Sequence, residues 1–182
     1  MSHYIGDSIS RSERIQRMIV DIILKKRARY PQWKNDSVWD FSHSATTAQL
    51  GQMLAEQRRL DSELARIACA LHDVYVCKTN ERKEHAHRGA PIAEQLLRKT
   101  KRFTKQEIAL IVNAVYHHSD KQLISKDPYV ELVKDADLLA WVLYEDAHDA
   151  IVRKYANPTP IFARIKRIRK ELNLPKDPQW DI

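Results

Sequence analysis

The stretch ARIACALHDVYVC, residues 65–77, decides how this chain reads. Ile67, Ala68 and Leu71 recur at helical spacing, which predicts a buried amphipathic helix. His72 and Asp73 then stand side by side, with Val74 and Val76 straight after. An imidazole and a carboxylate are expensive to bury in an apolar stretch unless they find partners. Those partners have to come from elsewhere in the chain.

Composition bounds where to look. The 182 residues suit one compact domain, expected to cover residues 1–182. Only three glycines occur. Sheet-rich folds need many turns and turns use glycine, so this scarcity predicts an all-α fold. No run of about 18 apolar residues is present, so no membrane span is expected. The opening MSHYIGDSISRSERIQRM lacks an apolar signal core, and a cytoplasmic protein is expected. Cys69 and Cys77 lack metal-finger spacing and are expected to be reduced, with Cys69 as core filler. The formal net charge of +7 favours an anionic partner: a nucleotide, a phosphate ester or RNA.

About seven helical segments can be marked. The first opens on a possible capping box, Ser10 and Glu13, and carries the stripe Ile15, Met18, Ile19 and Ile22 before ending near Pro31. Others cover residues 39–56, 61–75 and 85–99. A fifth starts at a second box, Thr104 and Glu107, and ends at HHSD. A long sixth runs over 128–155, and a seventh follows NPTP with Ile165, Ile168 and Leu172 inward.

Helical periodicity then points several ionisable groups inward. His43 shares a face with Thr47, Leu50 and Leu54, and His72 extends the side of Leu64, Ala68 and Leu71. In LVKDADLLAW, Asp137 falls four residues after Val133 and three before Ala140. Two imidazoles and two carboxylates thus project inward from three helices. Core His–Asp salt bridges are the plain alternative. A divalent cation explains the burial of both carboxylates, and a mixed N/O set suits Mn, Fe, Co, Ni or Zn better than Ca. His85 lies with Gly89, Ile92, Ala93 and Leu96, whereas His87 falls on the polar side with Glu94 and Arg98. The stripe Ile108, Ile111, Val112, Val115 continues to His118. His117 sits about 100° away, where it lines a cleft or caps the helix end.

His43, the doublet His72-Asp73 and DADLL with Asp137 resemble the H…HD…D pattern of the HD superfamily of metal-dependent phosphohydrolases. The resemblance selects Asp137 over Asp135. HAHRGA resembles the H-x-x-x-G-A element of HD proteins with two metals and falls on His85; YHHSD resembles their next histidine site. The likeness implies an orthogonal helix bundle around a central metal site. Its family-like core would cover about residues 39–150, with the first helix and the basic last helix packed on it. Ser119-Asp120-Lys121 stands where the HD-GYP phosphodiesterases carry Glu and then Gly-Tyr-Pro, which disfavours cyclic di-GMP hydrolysis. Small stand-alone HD hydrolases, including those that cleave dinucleoside polyphosphates, are the closer likeness.

The resemblance also implies roles. His43, His72, Asp73 and Asp137 would hold one metal; Asp73 would bridge to a second held by His85 and His118 or His117. One or two ions would serve, with His72 and Asp73 at the catalytic centre and metal-activated water attacking phosphorus. Lys78, Arg82, Arg88 and Lys121 flank these residues and are candidates for the substrate phosphate, or are ordinary solvated charges. The expected substrate is a nucleotide or another small phosphorylated metabolite. Two other readings stay open. One is a di-iron HD-type oxygenase. The other is a nucleic-acid-binding module carried by RIKRIRKEL, residues 164–172, whose basic residues surround one apolar face. The tail NLPKDPQWDI is expected to pack irregularly, with Trp180 anchoring it to the body or to the second subunit of a homodimer.

Overall fold

The computed structural model describes residues 9–144 and 147–180. Residues 1–8, the first part of the opening stretch read for a signal core, lie outside the described residues. The described chain contains nine α-helices: α1 Arg11–Arg29, α2 Lys34–Arg58, α3 Ser62–Leu71, α4 Val74–Thr79, α5 His85–Thr100, α6 Lys105–His117, α7 Pro128–Val142, α8 Ala147–Lys154 and α9 Thr159–Glu171. Short 3-10 turns occupy Pro31–Trp33 and Pro178–Trp180, and no strand occurs among the described residues. The all-α expectation is met. None of the described helices is long and apolar enough to cross a membrane.

Two segments expected to be continuous are divided. The helix predicted over 61–75 stops at Leu71 because Asp73 leaves helical backbone space, at φ −102° and ψ 22°. The chain turns there and restarts as α4. The helix predicted over 128–155 stops at Val142, where Tyr144 N–H bonds to the carbonyl of Trp141, and α8 begins at Ala147. Neither break carries a Gly or Pro that would announce it. Of the two capping boxes, Thr104 and Glu107 form both reciprocal bonds. Ser10 forms only its own half, since Glu13 turns its carboxylate to Arg17.

Helix α3 is the centre of the bundle. Its buried Leu64, Ile67, Ala68 and Leu71 meet α1, α2, α6 and α7. The α2 contact is unusually close. A Cβ on Gly51 would stand 2.4 Å from Cys69 Sγ, so only glycine fits opposite that thiol. Both cysteines are buried and unpaired. The close approach holds the α2 face that carries His43 against the end of α3, where His72 sits.

Helix α9 is tied down by charge as well as by Ile161, Ile165 and Ile168. Asp135 on α7 is fully buried and accepts from Arg58 of α2 at 2.6 Å, Arg164 of α9 at 2.6 Å and Arg167 at 2.8 Å. Arg58 also holds Glu171 at 2.8 Å. Two of the arginines that made α9 look like a free basic face are therefore engaged inside the fold. The tail is anchored on the same chain. Trp180 is buried against Phe162 and His148 and donates its indole N–H to Asp177.

Candidate metal centre

Four elements besides the α3–α4 corner converge on one point. His43 comes from the middle of α2, and His72 and Asp73 from the corner. His85 opens α5, His118 follows α6, and Asp137 lies on α7. The corner matters because Asp73 stands at the N-cap of α4 yet makes no capping bond. Its carboxylate is turned into the cluster instead. His85 is placed by a similar local device. Glu84 adopts a left-handed backbone at φ 52°, a conformation costing a non-glycine residue about 1 kcal/mol. The resulting turn brings the Arg82 carbonyl to His85 Nδ1 at 2.9 Å.

The donor atoms fall into two groups that share Asp73. His43 Nε2 lies 3.2 Å from His72 Nε2 and 3.0 Å from Asp137 Oδ1. His72 Nε2 lies 3.5 Å from Asp73 Oδ2 and 3.6 Å from Asp137 Oδ1. On the other side, Asp73 Oδ1 lies 3.3 Å from His85 Nε2 and 3.4 Å from His118 Nε2, and those two nitrogens are 3.0 Å apart. The two oxygens of Asp73 thus face different histidine sets.

These atoms fit a cation better than they fit one another. His72, His85 and His118 each place Nδ1 on a backbone carbonyl: Cys69 at 2.7 Å, Arg82 at 2.9 Å and Val115 at 2.7 Å. A carbonyl only accepts, so Nδ1 carries the hydrogen and Nε2 of the neutral ring is a bare lone pair. The lone pairs of His85 and His118 then point at each other with no hydrogen between them. Asp73 Oδ1 is buried beside them with no donor in hydrogen-bonding geometry. Ligand atoms about 2.1 Å from a common ion stand roughly 3 Å apart, and the distances above match that spacing. Three groups here have geometry that could hold a metal ion: His43 with His72 and Asp73, His72 with His118 and Asp137, and Asp73 with His85 and His118.

His43 is held differently. Its Nδ1 is buried and makes no hydrogen bond. The ring instead stacks on Trp39 at 4.8 Å and 11°, and Trp39 is closed from the side by Tyr144 at 4.5 Å. Lys121 completes the charge pattern. Its ammonium donates to Asp137 Oδ2 at 2.5 Å and to the His118 carbonyl at 3.3 Å. Asp137 therefore gives one oxygen to the histidines and the other to Lys121.

The electrostatics follow from burying two carboxylates among these cations. Burial opposes charge on His72, but Asp73 and Asp137 outweigh it and raise His72 to about 9. Burial would raise Asp73, yet the charge on His72 holds it far below the ordinary carboxylate range. Lys121 and His72 do the same for Asp137 against the same desolvation. Burial lowers His118 to about 4, so it is neutral at pH 7. A proton on His72 thus stands where a cation would. Below about pH 9 an incoming divalent ion must displace that proton, and above it none is left to displace. Metal affinity is expected to rise about tenfold per pH unit from pH 6.5 to 8.5, with about one proton released per loaded chain. Calorimetry in buffers of different ionisation enthalpy reads the proton count, and a flat affinity over that range would contradict the assignment.

Above the centre opens a cleft of about 780 Å³. Arg82, Lys121 and Lys154 line it together with Trp39, Trp141 and Tyr155. Sequence reasoning named Arg82 and Lys121 but missed Lys154 and the three aromatic residues, which carry no motif. The other sequence candidates lie elsewhere. His117 is not brought into the cluster; its Nδ1 pairs with Asp120 at 3.1 Å and its ring turns toward Tyr116. Arg88 is committed to Tyr75 and Glu81 on the outer surface, and Lys78 is exposed away from the cleft. His87 stacks on Tyr116 at 4.2 Å.

The family model of the HD domain matches residues 40–142. The chain belongs to the HD-domain family, a family of metal-dependent phosphohydrolases. It is similar to Ribonuclease Y of Borreliella burgdorferi, 30% identical over 99 residues that make up 52% of this chain and 18% of that protein. It is equally similar to Ribonuclease Y of Chlorobium phaeobacteroides, 30% identical over 99 residues, or 54% of this chain and 17% of that protein. The chain therefore spans less than a fifth of either relative's length. No solved structure gives a significant match.

Proposed function

We propose that this chain is a metal-dependent phosphohydrolase acting on a phosphate ester or anhydride of a small nucleotide. The observation that carries the reading is the division of Asp73: its two oxygens face two histidine sets, directly beneath a cleft lined by cations. In this reading His43, His72, Asp73 and Asp137 would hold one ion, and Asp73, His85 and His118 would hold the other. Bound divalent ions supply Lewis acidity toward a phosphoryl oxygen and activate water at neutral pH.

The chain's own residues do the rest. The i−3 carbonyls fix the rings of His72, His85 and His118, and the Trp39 face fixes His43. Lys121 holds Asp137 in place and adds positive charge next to the reacting phosphoryl group. Arg82 adds more from the loop before α5. A cleft of about 780 Å³ suits a small molecule, and Trp39, Trp141 and Tyr155 offer ring surface to a base. The nucleic-acid-module reading loses support because Arg164 and Arg167 are bound to Asp135. Ribonuclease activity, named for the two relatives, is the macromolecular form of the same chemistry.

The test is phosphate release from a panel of nucleoside mono-, di- and triphosphates and short RNAs by protein reconstituted with Mn, Fe, Co, Ni or Zn. Metal-dependent hydrolysis of nucleotides, abolished by chelator, is expected. Release from RNA alone would move the substrate to nucleic acid. Oxygen uptake by the iron form without hydrolysis would replace the reading with the oxygenase one.

A further inference from the structure

One cation of the cleft is not accounted for by the centre. Lys121 is committed to Asp137, and Arg82 lies in the loop whose carbonyl orients His85. Lys154, the last residue of α8, also lines the cleft. Its ammonium lies over the Trp141 ring at 5.3 Å and the Tyr155 ring at 5.4 Å. Two ring faces hold a cation in place without neutralising it. Among the described residues no carboxylate stands within ion-pair distance of Lys154. Burial, then repulsion from Lys121 and Arg82, holds its ammonium below the ordinary lysine range. Lys121 is paired with Asp137, so the unpaired charge of Lys154 is the one left to meet an incoming anion.

A single reacting phosphoryl group belongs beside the histidines and Asp137. Lys154 lines the same cleft, fixed on its rings and making no ion pair with Asp73 or Asp137, so its charge is available to a further negative group of the same substrate. We propose that Lys154 is a substrate-contacting residue that binds a second, non-reacting phosphate and makes the cleft selective for nucleotides with a diphosphate unit over monophosphates. This rests on the phosphohydrolase reading above.

The test uses the full chain loaded with Mn at fixed free metal. Calorimetry compares inorganic phosphate with inorganic pyrophosphate on the wild type, Lys154→Met and Lys154→Arg. The wild type is expected to bind pyrophosphate about tenfold tighter than phosphate, the worth of one charge-assisted contact. Lys154→Met should lose most of that preference, and Lys154→Arg should keep it. Thermal melting confirms that each variant folds. An unchanged preference in Lys154→Met overturns the assignment of Lys154 alone, leaving the phosphohydrolase intact. Failure of either anion to bind the loaded wild type overturns both.

Discussion

Asp73→Ala is expected to lose nearly all bound metal and to lower phosphohydrolase activity by about a thousandfold or more. Asp73 turns one oxygen to each histidine set, with Oδ2 3.5 Å from His72 Nε2 and Oδ1 3.3 Å from His85 Nε2. Replacing any single histidine removes one donor from one set, whereas this change removes one from each. Asp73 also balances the positive charge that His72 carries in the metal-free protein. Its folded carboxyl is held far below its unfolded range. The stability it contributes to the metal-free protein is therefore fully present above pH 4 and is lost as the pH falls further. Elemental analysis and initial rates check the first effect, and circular dichroism confirms that the fold survives. A variant retaining metal and more than a tenth of the activity would contradict the bridging role.

The second large effect falls on stability and should leave the centre untouched. Asp135→Ala is expected to cost about 3–5 kcal/mol, the usual result of removing one partner from a buried ionic group. Asp135 is fully buried, and the change would leave Arg58 and Arg164 facing each other, with side chains only 18% and 7% exposed. For a chain of this size the melting temperature should fall by roughly 10 °C. Below that transition, metal content should match the wild type, because Asp135 makes no contact with the histidines. Asp135 and Asp137 stand two residues apart on α7, yet one is structural and the other faces the centre. Differential scanning calorimetry with parallel metal analysis separates the two roles. A melting temperature within 2 °C of the wild type, on the order of 1 kcal/mol or less, would contradict the structural role.

Much of this was legible in the sequence, for a physical reason. Residues that face a helical core repeat every three or four positions, so His43, His72, His85, His118 and Asp137 could be placed inward by counting from apolar neighbours. The structure gathers all of them, with Asp73, at one point. Periodicity alone did not separate Asp135 from Asp137; both were acidic residues in an apolar helix, and only the family pattern chose. The corner at Asp73 was invisible because it is made by backbone torsion at an ordinary residue, with no glycine or proline to announce it. The end of α7 at Val142 was hidden for the same reason. The cleft walls escaped because Trp39, Trp141, Lys154 and Tyr155 become a surface only when α2, α7 and α8 come together. Arg164 and Arg167 misled in the opposite direction. As a string they read as a solvated basic face, and only their approach to Asp135, about 30 residues away in sequence, shows where their charge goes.

The most direct measurement of the central claim is the metal content of the purified chain by plasma mass spectrometry, after reconstitution with Mn, Fe, Co, Ni or Zn. Two equivalents of a divalent transition metal are expected in the wild type and about one in His85→Ala, whose change leaves the His43, His72, Asp73 and Asp137 set whole. No bound metal in the wild type under any of these conditions would contradict the account, and the converging histidines would then be core residues.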